Sequence, residues 1–174
     1  MSTENTLASG VYTFECIGAD GVVKWTEKVP NKVVNVGIQY MASVALTAGA
    51  TAVTQITAWY LGLITGPGSG VTIAAGDTLS SHSGWTESTP YAGNRPACNF
   101  AAATTANPSV ATNSASRASF TMNTTATLGG AFLCSAASGT SGTLFSANTF
   151  TAGDRSVVSG DTLNVTYTFS LTAT

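Results

Sequence analysis

Residues Thr162 to Thr172 admit one backbone conformation. Leu163, Val165, Tyr167, Phe169 and Leu171 alternate with Thr162, Asn164, Thr166, Thr168, Ser170 and Thr172. Successive side chains of a strand point to opposite faces, so this run has one apolar and one hydroxyl-rich face. It is a half-buried strand, and a half-buried strand needs partners in a sheet. Other runs supply them: Val11–Ile17, Val22–Lys28, Trp59–Ile64, Gly84–Ser88, Ser116–Met122, Leu128–Ser135, Thr143–Phe150 and Ser156–Val158. Roughly eight strands with turn chemistry about every ten residues predict an antiparallel β-sandwich or jelly roll.

Local detail refines this. The first two runs flank Gly18-Ala19-Asp20-Gly21, which predicts a β-hairpin. In its second strand Val23, Trp25 and Glu27 share one face, and Val22, Lys24, Thr26 and Lys28 the other. Val33 to Leu46 is the one helical segment expected, with Val33, Val36, Gly37, Tyr40, Met41 and Val44 at helical spacing. Asn31 would cap it, Gly49 would lie past its end, and Gly37 would permit close approach to a sheet. Gly129-Gly130 predicts a bulge or tight packing. The Gly-Asp-Thr-Leu segments at 76–79 and 160–163 read as repeated turn chemistry, the first a capped turn or short helix. Gly66–Gly70 reads as a mobile loop and residues 89–113 as irregular. Residues 1–10 are expected to be a flexible arm, and 11–174 a single sandwich domain.

The surface of that domain is unusual. Only 8% of the 174 residues are charged, against about 25% in an ordinary soluble domain. Thr, Ser, Ala, Asn and Gly replace the usual Lys and Glu, and every Lys falls within the first 32 residues. A chain with so few charges reads as one packed permanently against others, or as a rigid extracellular β-protein. No basic stripe is present, so nucleic-acid binding is not expected. Neither is a membrane span, since no apolar run nears the length required. Cys16, Cys98 and Cys134 have no paired spacing and read as buried free thiols, in keeping with a reducing cytoplasm.

Catalytic chemistry has little to stand on. His82 is the sole histidine, and beside Ser81, Ser83 and Trp85 it reads as a hydrogen-bonded structural residue. No Gly-x-Ser-x-Gly elbow occurs. Asp77, Asp154 and Asp161 follow or adjoin glycine, where Asp serves turns. Glu87 with Asp77 could in principle flank a cleft lined by Trp85 and Tyr91. No catalytic residue, metal or cofactor is therefore expected. Trp59 reads as core, while Trp85 and Tyr91 are candidate exposed aromatic contacts.

The segment Trp59-Tyr60-Leu61-Gly62-Leu63-Ile64, with Gly76-Asp77-Thr78-Leu79, His82, Gly84-Trp85-Thr86-Glu87, Tyr91 and Arg95-Pro96, resembles structural proteins of tailed bacteriophages. Gly130-Ala131-Phe132-Leu133 and Gly160–Tyr167 extend the likeness. The resemblance implies a virion protein, most like a capsid cement or decoration protein on the outside of an icosahedral head. Its partner would be the major capsid protein, with self-association as a dimer or trimer, and it would be made in the host cytoplasm. Lys24, Trp25, Lys28 and Lys32, with the arm, are the expected capsid-binding residues. The alternative is a tail- or fibre-associated module binding host glycans. A hydrolase would require Glu87 or Asp77.

Overall fold

The computed structural model describes residues 5–174. Its strands are β1 (Thr6–Ile17), β2 (Val23–Pro30), β3 (Lys32–Val33), β4 (Tyr60–Thr65), β5 (Glu87–Ser88), β6 (Ser109–Thr112), β7 (Ala118–Thr121), β8 (Ala126–Cys134), β9 (Leu144–Thr149), β10 (Arg155–Val157) and β11 (Thr162–Ala173). One helix, α1, spans Asn35–Leu46. The strands form two antiparallel sheets: β2-β1-β11-β6 with β7 also on β11, and β3-β9-β8-β4-β5 with β10 also on β8. The chain is a mainly β sandwich, as the alternation in β11 requires.

β1 and β11 pair along their whole length, from Thr6 opposite Ala173 to Ile17 opposite Thr162. Residues 6–10 thus belong to the first sheet, where a flexible arm is expected from their small polar side chains. Pairing with the end of β11 satisfies their backbone groups. Met1 to Glu4 of that arm lie outside the described residues.

Tyr12, Phe14 and Cys16 of β1 face inward with Leu163, Val165 and Tyr167 of β11. Against them stand Leu61, Leu63 and Leu133 from the second sheet. A polar thread crosses this core: the Tyr12 hydroxyl donates to the Ser146 carbonyl at 3.1 Å, and Ser146 Oγ donates to the Tyr167 hydroxyl at 3.3 Å.

The second sheet is buried on both faces. Ile64, Phe132, Cys134 and Leu144 point away from the first sheet into a second cluster with Ile73, Leu79 and Trp85. This explains the unbroken apolar runs in β4 and β8, which a sheet wet on one face would not show. The cover comes from residues 71–85, which lack regular strands yet carry three large apolar anchors.

Two glycines make close packing possible. Ile64 pairs with Gly130 and Thr65 with Leu128, so Gly129 is the extra residue of a bulge. A Cβ on Gly37 would strike the Phe145 carbonyl, so α1 rests its backbone directly on β9. The helix begins at Asn35, later than its apolar spacing suggests, because Lys32 and Val33 pair with β9 and the Val34 N–H donates to the Phe145 carbonyl at 3.1 Å. Asn31 therefore does not cap it. Gly66–Gly70 contains a single 3-10 turn over Gly68–Gly70, and the 75–82 segment is a turn without helix.

Candidate interaction surfaces

The expected capsid-binding residues do not form one patch. Lys24 and Lys28 lie on the outer face of β2, Trp25 on the inner face, and Lys32 on β3 of the other sheet. Lys24 Nζ donates to Asp161 Oδ2 at 2.6 Å, and Lys32 Nζ donates to the Ile73 carbonyl at 2.8 Å. Trp25 is half-buried, edge-on to Phe150, beneath the Arg155 guanidinium, with its indole N–H donated to the Ser156 carbonyl. Among the described residues Lys28 alone of the four has no hydrogen-bond or ion-pair partner.

The candidate aromatic contacts are corrected outright. Trp85 is 4% exposed and Tyr91 7% exposed. Trp85 lies on Phe132 at 5.0 Å, stacks on His82 at 3.7 Å and donates its indole N–H to Asp77 Oδ2 at 3.0 Å. His82 Nδ1 meets the Trp85 carbonyl at 3.0 Å, the structural role its neighbours suggest. Tyr91 packs edge-on against Phe120, and burial pushes its hydroxyl pKa well above the usual phenol value. Apolar area outweighs the polar tip in both residues. Neither ring is therefore presented to a sugar at the surface.

The carboxylates are engaged as well. Glu87 takes a two-point contact from Arg95 at 2.7 and 2.6 Å, and Arg95 also donates to the Ala136 and Gly139 carbonyls. Arg95 is buried over the Phe132 ring, pinning the loop before β6 to the hairpin between β8 and β9. Glu27 accepts from the Thr151 and Ala152 N–H groups and from Arg155 Nε. Burial works to raise its pKa, but these donors prevail and it lies below the usual range. Asp161 obeys the same balance: desolvation opposes Lys24 and the Val158 N–H, and the pKa falls. The thiols move the other way, with burial raising Cys16 to about 11 and Cys98 to about 12. No three metal-ligating side chains gather among the described residues.

The charge economy is therefore internal. Every charged residue except Glu4 lies in the described part, and eight of them are consumed in four ion pairs: Lys24–Asp161, Arg95–Glu87, Arg117–Glu15 and Arg155–Glu27. What remains outside is largely uncharged. From residue 33 to residue 76 no Asp, Glu, Lys or Arg occurs, and this stretch contains α1 and the exposed segment after it.

On α1 only Gly37 is buried. Ile38 is 51% exposed and Leu46 83%, and Val44 and Val53 are also exposed. Helical periodicity predicts an apolar core face here. That face is the inward one: Gly37 meets β9, and Val33, Val36 and Met41 pack, partly buried, against the two clusters, while Ile38, Val44 and Leu46 stay outside. The signal available in the sequence is the uncharged run itself, since an ordinary surface helix would carry charges opposite its apolar stripe. No helix among the described residues is long and apolar enough to cross a membrane. No protein-family model, curated protein or solved structure matches the chain.

Proposed function

We propose that this chain is a non-catalytic structural subunit of a repeating assembly, in line with the likeness to virion proteins of tailed bacteriophages and with a cement or decoration role on the head. One observation carries the reading: its charges are mostly paired internally, while the uncharged α1 surface exposes Ile38, Val44 and Leu46. Interface centres are depleted in charged residues, and such a surface suits burial against a neighbouring protein. The contact shifts from the hairpin lysines to α1, because Lys24 and Lys32 are already engaged and residues 6–10 are held in β1. Each contact in such an array need only be modest, since repetition multiplies it. A major capsid protein is the natural neighbour, with further copies of this chain beside it.

The test is location and copy number. Quantitative mass spectrometry of particles purified from the producing host should find the chain in hundreds of copies, released with the shell. A few dozen copies co-purifying with tails would move it there, and absence from particles would end the proposal. Leu46→Asp and Ile38→Asp should lower occupancy on heads at least tenfold while leaving the melting temperature of the free protein unchanged.

A further inference from the structure

A cavity of about 270 Å³ opens where α1 and the segment before β4 meet the two sheets. Its wall includes an unbroken run of rings. Tyr40 of α1 meets Trp59 edge-on at 5.6 Å, Trp59 meets Phe145 at 5.4 Å, and Phe145 meets Phe169 of β11 at 5.4 Å. Phe145 is there because of a bulge: Leu133 pairs with Ser146 and Cys134 with Leu144, which leaves Phe145 as the extra residue of β9. Ala111 of β6 forms part of the wall where a larger side chain would fill the space. No charged residue lines the cavity, and its polar groups are few. The Tyr167 hydroxyl accepts from Asn31 Nδ2 and Ser146 Oγ, and the Tyr40 hydroxyl accepts from the Ile56 N–H at 2.8 Å and keeps its own proton to donate.

The geometry points to a binding site for a small, flat, uncharged aromatic molecule with at most one hydroxyl or carbonyl group. A mainly apolar recess with few polar groups is the usual form of a small-molecule site. A closed apolar cavity of about 150 Å³ accepts one benzene ring, so this one has room for about two fused rings. A carboxylate or ammonium would be desolvated here without a partner, which rules against fatty acids and amines. The site meets the exposed α1 surface at Val44 alone, and ligand binding in it does not depend on the assembly role.

Calorimetric titration of the full chain with 2-naphthol tests this, with 2-naphthalenesulfonate as the charged counterpart on the same rings. The naphthol should bind one-to-one with a dissociation constant on the order of 10 µM, and the sulfonate at least tenfold more weakly. Ala111→Leu and Val44→Phe should each cut naphthol affinity at least tenfold with unchanged circular dichroism. The two substitutions come from different elements, so a folding defect in one leaves the other informative. Absence of saturable heat, equal affinity for the sulfonate, or undiminished binding in both variants would overturn the proposal. So would an isotherm seen only below the concentration at which sedimentation detects a dimer, since a second copy would then fill the cavity.

Discussion

The two Gly-Asp-Thr-Leu segments form the same local structure for different ends. In each, the Asp N–H donates to the carbonyl three residues back: Asp77 to Ala74 at 3.2 Å and Asp161 to Val158 at 3.1 Å. Each carboxylate accepts the N–H of that same residue, at 3.0 and 2.9 Å. Each Leu then enters a core, Leu79 the outer cluster of the second sheet and Leu163 the space between the sheets. The third partner differs. Asp77 Oδ2 receives the Trp85 indole, and Asp161 Oδ2 receives the Lys24 ammonium. The threonines diverge too: Thr78 closes a tight bridge with Ser81, while Thr162 opens a twelve-residue strand. Four residues suffice to define the Asp turn. The alternation beyond it, present after Leu163 and absent after Leu79, decides between strand and loop.

The sharpest way to break the comparison is to remove the partner unique to the first turn. Trp85→Ala takes a buried ring off Phe132 and His82 and removes one of the two donors to Asp77. Equilibrium denaturation should show a loss of about 4 kcal/mol, in the range for buried aromatic truncations. Trp85→Phe should recover most of it by restoring the packing. If the alanine variant lost less than about 1 kcal/mol, the 71–85 cover would not be anchored as described.

Next come the two aspartates themselves. Asp161→Ala leaves the Val158 N–H and the Lys24 ammonium without their acceptor, for a loss of about 3 kcal/mol. Asp77→Ala strips only neutral donors and should cost about 2 kcal/mol. Since about 1 kcal/mol moves the melting temperature of a chain this size by roughly 2–4 °C, scanning calorimetry separates them. Equal losses would mean that the charged partner adds nothing to the shared turn.

This pair also shows how far the sequence can be read. β11 is legible because alternation is a direct record of a two-faced environment, and the Gly129 bulge because paired glycines in a strand have few other uses. β6 is not, since Ser109–Thr112 sits in an Ala/Thr/Asn tract and pairs on one side only, to β11. The position of Trp85 is equally hidden. Its ring suits a sugar platform or a core, and only the outer face of the second sheet, formed by residues distant in sequence, decides. On α1 the apolar spacing marks the inward side, where Val36, Gly37 and Met41 meet the two clusters, but it gives no sign that Ile38 and Leu46 on the other side stay exposed. The surface proposed for assembly is accordingly marked by what is missing, the charges between Lys32 and Asp77.

A smaller effect comes from acid. Asp161 and Glu27 titrate below their ordinary values of 3.8 and 4.5 in the folded protein. Near those values the unfolded chain holds more protons, so stability rises with pH there. Their contribution is complete above the ordinary values and is lost as pH falls through the lowered ones. Denaturation midpoints should be flat near neutrality and drop below about pH 4. Asp161→Asn should flatten that drop. A variant as acid-sensitive as the parent would remove Asp161 from the account.

The smallest effect isolates the charged partner. Lys24 leaves 35% of its side chain in water while Asp161 keeps 1%. Solvent reaches one side of this pair, so its coupling should be small, as for exposed pairs. A double-mutant cycle with Lys24→Met and Asp161→Asn measures that coupling apart from the shared turn. Raising salt from about 0.1 M to about 1 M shortens the screening length from about 10 Å to about 3 Å and should reduce it. The corresponding cycle on Trp85→Phe and Asp77→Asn joins a neutral indole to its acceptor below the surface, and it should respond far less to salt. If both cycles respond alike, the third partner is interchangeable and the two turns differ only in what the chain does after Leu79 and Leu163.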